Sequence, residues 1–213
     1  MGKAQDANGP SYLMDGATVE FLVPPPGVLS FTPQAINTRG EIVGSYLVLT
    51  PAPGNHGFIR HSDGTFTQLD VPGAFSPGFT LAYGINDAGH VVGWFADGDL
   101  REHGFVYDGN TYTIFDVPGA VVTEPHGIDA CGRIVGRFVD ADRRVHGFIK
   151  DDKKFTTIDF PGALMTWVSG ISQTTGLIVG HFINELPGTS DQTRGFLAKP
   201  AHGRSLQCHG KRR

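Results

Sequence analysis

The chain has 213 residues and only two cysteines, Cys131 and Cys208. That is too few for a disulfide framework. Cys131 stands in a tight turn, where a free thiol is the expected state and a bond to Cys208 the alternative. No apolar run approaches the ~20 residues that a membrane-spanning helix needs, so no membrane insertion is expected. The opening Met1-Gly2-Lys3-Ala4-Gln5-Asp6 lacks the apolar core of a signal peptide. The net charge is only −4, and the one basic cluster is Lys211-Arg212-Arg213 with Arg204 near the end. A nucleic-acid surface needs a clustered basic stripe, so no nucleic-acid partner is expected. Capped runs with a helical 3.6-residue period are absent. So are a Gly-x-Ser-x-Gly elbow, a His-Glu-x-x-His pair, a P-loop and a dinucleotide fingerprint.

What the chain does have is glycine, 30 of them, with 14 prolines, placed at regular intervals between apolar runs. The intervals reflect a repeat. Gly84-Ile85-Asn86-Asp87-Ala88-Gly89-His90-Val91-Val92-Gly93 matches Ala35–Gly44 and Gly127–Gly136, and more loosely Gly170–Gly180. A second signature follows each copy: His56-Gly57-Phe58, His103-Gly104-Phe105, His146-Gly147-Phe148 and Arg194-Gly195-Phe196. A third closes three copies: Asp70-Val71-Pro72-Gly73-Ala74, Asp116-Val117-Pro118-Gly119-Ala120 and Asp159-Phe160-Pro161-Gly162-Ala163. A fixed period of roughly 45 residues means stacked supersecondary units.

The second copy reads as four strands. Thr80–Ile85 and His90–Phe95 flank an Asn-Asp-Ala-Gly turn, in which Asn bonds its own backbone and Gly accepts positive φ. His103–Tyr107 and Thr111–Val117 flank Asp108-Gly109-Asn110, a short hairpin signal. Pro118 then stops the run, because proline cannot donate to a ladder. Four short antiparallel strands per repeat predict an all-β, four-bladed β-propeller with four-stranded blades. The N-terminal run Ala17–Val23 matches a fourth strand, and the last copy lacks one. That strand is therefore expected to pair with Gly195–Lys199 and close the ring. The expected organisation is a flexible segment 1–16, one propeller domain 17–200, and a disordered basic tail 201–213. A monomer is expected.

The three signatures in register resemble the bacterial extracellular repeats called the HAF family, over about Ala17 to Pro200. The fourth copy departs from the pattern, with Ser172 for Asn and Arg194 for His. The resemblance implies repeated β-structure and a secreted or cell-surface location. It implies no reaction.

Chemistry is expected where the copies differ. Just before the recurring small residue and Ile of the first strand stand Gln34, Tyr83, His126 and Ser169, and two residues earlier Thr32, Leu81, Glu124 and Trp167. First strands lie nearest the axis, so these side chains can meet around one ligand. Glu124 and His126 are two apart and share a face. The expected ligand site is Gln34, Tyr83, Glu124, His126 and Trp167, with Arg101 and Arg144 at its rim. A glycan or small molecule is the expected ligand. The alternative is a carbohydrate-directed hydrolase or lyase using Glu124, His126 and Tyr83. The recurring His56, His103 and His146 start third strands, too far apart to share an ion. They are expected to bond the backbone of a neighbouring loop. Asp140-Ala141-Asp142 lacks the Gly and distal Glu of an EF-hand loop. No metal and no cofactor are expected.

Overall fold

A computed structural model describes residues 11–15, 18–49, 53–75, 78–184 and 193–199. Among these the regular structure is all strand. A hairpin, β1 (Tyr12–Asp15) and β2 (Thr18–Phe21), precedes four antiparallel meanders. Meander I holds β3 (Val28–Ile36), β4 (Ile42–Val48), β5 (Gly54–Arg60) and β6 (Phe66–Leu69). Meander II holds β7 (Thr80–Ile85), β8 (Val91–Ala96), β9 (Glu102–Tyr107) and β10 (Tyr112–Phe115). Meander III holds β11 (Ala120–Ile128), β12 (Ile134–Asp140), β13 (Val145–Asp151) and β14 (Lys154–Ile158). Meander IV holds β15 (Met165–Ile171), β16 (Ile178–Ile183) and β17 (Thr193–Ala198). The described residues contain no helix long and apolar enough to cross a membrane.

The expected closed, four-bladed propeller is not what forms. The strands gather into a two-stranded sheet, a four-stranded sheet and a curled eleven-stranded half-barrel. Meanders II, III and IV fuse because each new first strand starts beside the previous third strand. Single parallel bridges, Val122↔Glu102 and Val145↔Met165, make the join. The N-terminal strand does not close a ring either. β2 pairs with β1, from Tyr12↔Phe21 to Asp15↔Thr18. Leu22, just beyond it, is buried with Ile42, Tyr46 and Phe58 of meander I, which anchors the segment there.

The turns follow their sequence. Asn86 Oδ1 accepts from the N–H groups of Ala88 and His90, and Gly89 sits at φ 87°. Asn37 and Asp129 do the same in their turns. The amides also staple the meanders: Asn37 Nδ2 donates to Asn86 O (3.2 Å), and Asn86 Nδ2 to Asp129 O (3.0 Å). From meander IV, Gln173 Nε2 donates to Ile128 O at 2.6 Å. Cys131, in the third of these turns, is disulfide-bonded rather than a free thiol. The chain's other cysteine, Cys208, lies outside the described residues, as does the tail expected to be disordered.

The residue before the closing Pro-Gly acts as a plug against the meander that follows, buried at Val71 and Val117 and partly exposed at Phe160. Val71 packs with Ala82, Ile85 and Phe105, and Val117 with Ile128, Ile134 and Phe148. Phe160 stacks on Phe182 with ring centroids 3.6 Å apart. Leu22, two residues before Pro24, plays this part for meander I. Each later plug has its backbone N–H accepted by a threonine of the strand it enters: Val71 by Thr80, Val117 by Thr123, Phe160 by Thr166. These threonines are buried, so the bonds satisfy hydroxyls that would otherwise be costly to desolvate.

Candidate functional site

In every meander the first and second strands slip by one residue at the same place. The slips fall between Pro33 and Ala35, Ala82 and Gly84, Pro125 and Gly127, and Val168 and Gly170. The residues left over are Gln34, Tyr83, His126 and Ser169, the positions where the repeat varies. A β-bulge leaves its extra residue out of the ladder and re-aims the side chain. The bulge also explains the recurring Val-Gly. A Cβ on Gly44, Gly93, Gly136 or Gly180 would lie 2.2, 2.0, 2.1 or 2.1 Å from the carbonyl oxygen of Thr32, Leu81, Glu124 or Trp167. No side chain fits there.

Beside the bulges, cross-strand partners bring in second-strand residues: Leu81↔Trp94, Glu124↔Arg137 and Trp167↔His181. Glu124 is 5% exposed, yet it is charged. Burial pushes its carboxyl up, but hydrogen bonds with His126, Arg137 and Glu102 and the Arg137 charge outweigh this and hold it at about 2. Arg137 engages both carboxylate oxygens, with Nε at 2.7 Å. His126 Nδ1 lies 2.9 Å from Val168 O. A carbonyl only accepts, so Nδ1 carries the hydrogen and the ring orientation is fixed. His126 Nε2 then faces Glu124 Oε2 at 3.5 Å. The Tyr83 ring lies 5.2 Å from the His126 ring. Burial, and secondarily the charge of Glu124, raise the Tyr83 hydroxyl above its ordinary range.

Glu102 completes the cluster from the start of β9. Its carboxyl is pushed up to about 7, first by burial and then by its hydrogen bond to Glu124 and the charge there. The two carboxyls therefore differ in protonation across a wide pH range, Glu102 holding a proton that Glu124 does not. On meander IV, Trp167 stacks on His181 at 4.9 Å. Burial and then the neighbouring His126 and Arg137 lower the His181 pKa. Trp94 Nε1 is buried and makes no aligned hydrogen bond among the described residues, although the Tyr83 hydroxyl is near enough to feel it.

The structure thus unites Tyr83, Glu124 and His126 and sets Trp167 one residue from the carbonyl that orients His126. Gln34 occupies the equivalent bulge of meander I. Arg101 and Arg144 are exposed in the turns before β9 and β13, where their backbone N–H groups bond Asp97 and Asp140. Their side chains are not among the groups seen to contact the cluster. The sequence reading missed Arg137, Trp94 and His181, and began the third strand of its copy at His103, one residue past Glu102. A signal existed: the residue after each Val-Gly is Ser45, Trp94, Arg137 or His181, as varied as the positions that were noticed.

The recurring histidines bond carboxylates, not the loop backbone that was expected. His103 Nδ1 meets Asp116 (2.9 Å) and its Nε2 meets Asp97 (3.2 Å). His146 bridges Asp159 (3.0 Å) and Asp140 (3.1 Å) in the same way. His56 meets Asp70 at 2.7 Å. Burial lowers the pKa of His103 and His146, but their carboxylate pairs outweigh it and raise both. These clamps tie the third strand to the close of its meander. The chain matches no protein-family model, and no curated protein matches it.

Proposed function

We propose that the protein is a ligand-binding module that takes a glycan fragment or a similar small polyhydroxylated molecule at the bulge cluster. The observation that carries this reading is the set of four aligned bulges, which aim chemically different side chains while the rest of the repeat is kept. Packing alone gives no need for a tyrosine, an imidazole and a serine at equivalent sites. Tyr83 and Trp167 supply flat apolar faces for the C–H side of a sugar ring. Glu124, Arg137 and His126 supply oriented polar groups for its hydroxyls, as small-molecule sites commonly do. The buried Trp94 N–H, beside the Tyr83 hydroxyl, adds a donor. The likeness of the repeat signatures to HAF repeats supports a secreted or cell-surface role.

A second reading is favoured by one observation, the opposite displacement of two hydrogen-bonded carboxyls. Pairs pushed apart in this way mark acid and base roles. In a glycoside hydrolase the two carboxyls stand about 5 Å or more apart, so Glu102 and Glu124 in direct contact do not form such a pair. An eliminating lyase with Tyr83 or His126 as the proton carrier fits better.

Thermal shift against neutral and acidic oligosaccharides tests both, since a ligand of the native state raises Tm. Tyr83→Ala, His126→Ala and Trp167→Ala should each abolish the shift while leaving the unliganded Tm within a few degrees. Variants that unfold would make these residues core and end the proposal. An oligosaccharide consumed with new ultraviolet absorbance from an unsaturated product would establish the lyase.

A further inference from the structure

Each meander covers the back face of the one before it. The back face is a row across the first three strands: Ala35, Val43 and Ile59 in meander I, Gly84, Val92 and Val106 in II, and Gly127, Val135 and Ile149 in III. Val43, Val92 and Val135 are each 0% exposed. Their cover is the next meander: Ala82, Ile85 and Phe105 over Val43, Ile128 and Phe148 over Val92, and Val168 and Ile178 over Val135. The backbones touch as well. A Cβ on Gly84 would lie 3.0 Å from Gly127 Cα, and one on Gly127 would lie 3.2 Å from Gly170 Cα.

The same row in meander IV is Gly170, Val179 and Leu197, and among the described residues nothing covers it. Val179 is 48% exposed and Leu197 is 67% exposed. Among the described residues, a Cβ on Gly170 would meet only Val179 of its own meander. Three copies of this face are sealed and the fourth, built from the same residue types, faces water.

The other end of the chain carries the counterpart. The β1–β2 hairpin pairs Met14 with Val19 and Tyr12 with Phe21, in the register of Tyr107 with Tyr112 and Phe105 with Ile114 in β9–β10. Leu13 and Glu20 point the other way, towards meander I, where Leu13 joins the core and Glu20 bonds Arg60 at 2.9 Å. The outward face of the hairpin is therefore Tyr12, Met14 and Val19, with Phe21 beside Tyr12 at its edge. Met14 is 51% exposed and Val19 is 48% exposed. Their equivalents, Phe105, Tyr107 and Tyr112, are the residues that pack on the Val43–Ile59 row of meander I. In one chain, then, a back face without a cover and a front face without a meander to cover stand open at opposite ends.

We infer that these two faces are the halves of one interface, and that it forms between two copies of this chain, head to tail, with the hairpin of one copy on Val179 and Leu197 of the next. The contact repeats a packing that the chain already uses three times, and it departs from the monomer that the sequence suggested. It joins unlike surfaces, so it extends into a closed ring or an open row of copies rather than a two-fold dimer.

Light scattering on the full chain, from dilute to concentrated solution, should show a mass that climbs past that of one copy. Leu197→Lys should hold the protein at monomer mass, and so should Met14→Lys combined with Val19→Lys. All three side chains are exposed, so circular dichroism should be unchanged, and Val179→Glu replaces Leu197→Lys if that variant fails to fold. The decisive arm mixes the two variants. One keeps an intact head and the other an intact tail, so the mixture should double in mass and stop there. A wild type that stays monomeric at its highest soluble concentration overturns the inference. So does a mixture that stays monomeric, or self-association that survives both substitutions.

Discussion

Replacing Glu102 by glutamine should stabilise the protein at pH 8 and leave it unchanged near pH 4.5. The folded pKa of Glu102 is raised from 4.5 to about 7, by burial and by the Glu124 carboxylate it touches. A raised carboxyl pKa means that ionisation is harder in the fold than in the unfolded chain. The penalty is absent below 4.5, grows as pH rises, and is complete above about 7. The difference of about 2.5 in pKa, at about 1.36 kcal/mol each, sets an upper bound of about 3.4 kcal/mol. Glu102 is only half-buried, and solvent screens such a group, so about 1–2 kcal/mol is the expected gain. For a chain of this length that is a rise in Tm of about 2–8 °C. Glutamine keeps the hydrogen bond, because its amide donates to Glu124 as the protonated acid does. Urea unfolding followed by the fluorescence of Trp94 and Trp167, at pH 4.5 and at pH 8, measures the effect. Glutamine that destabilises at pH 8, or a difference that does not change with pH, would refute the assigned proton.

Two further outcomes test the scaffold around the site. Gly136→Ala would set a Cβ 2.1 Å from Glu124 O and should cost about 3 kcal/mol or more, because a backbone oxygen cannot swing aside as a side chain can. Gly98→Ala meets nothing within 4 Å and is the control in the same urea titration. His146→Gln should flatten part of the pH dependence of stability. The raised pKa of His146 means its clamp contributes fully below the ordinary value of 6.5 and fades as pH rises through the higher folded value. The gap between wild type and variant, measured by Tm, should therefore narrow from pH 6 to pH 9, and a gap that widens would contradict the clamp.

Strand positions were legible because the signals are local: an Asx side chain bonding its own turn, a Gly at positive φ, a Pro ending a ladder. The repeat also exposed Tyr83, Glu124 and His126, since departures from a kept pattern mark positions that packing does not dictate. Arg137 and His181 escaped because cross-strand partnership depends on register: the recurring Val-Gly marks each bulge but does not say which residues then face each other. The partners of the histidines were within reach. Asp116 and Asp159 follow His103 and His146 by the same 13 residues, and two signatures in step at constant spacing point to contact. The sheet arrangement was not within reach. Parallel bridges at Asn55–Phe79, Val122–Glu102 and Val145–Met165 set how neighbouring meanders meet, and one bridge leaves no pattern in the sequence. The partner of β2 was misjudged because resemblance to a fourth strand says what a segment can pair with, while the burial of Leu22 says where it is held.

The plugs give the fold a direction in time. Leu22, Val71 and Val117 each precede the meander whose core they enter, and Phe160 precedes the meander it stacks on. A ribosome working from the N terminus therefore delivers every plug before the meander that receives it, while each back face waits for the meander that follows. A nascent chain halted after meander II would already hold both of the plugs its two cores require, together with Val117 if synthesis ran on that far. Losing the first two dozen residues would instead open the core around Ile42 and Phe58 from the start. Truncations should accordingly be tolerated in steps from the C-terminal side and poorly from the other, an asymmetry that arises during translation and that the finished, repetitive architecture does not advertise.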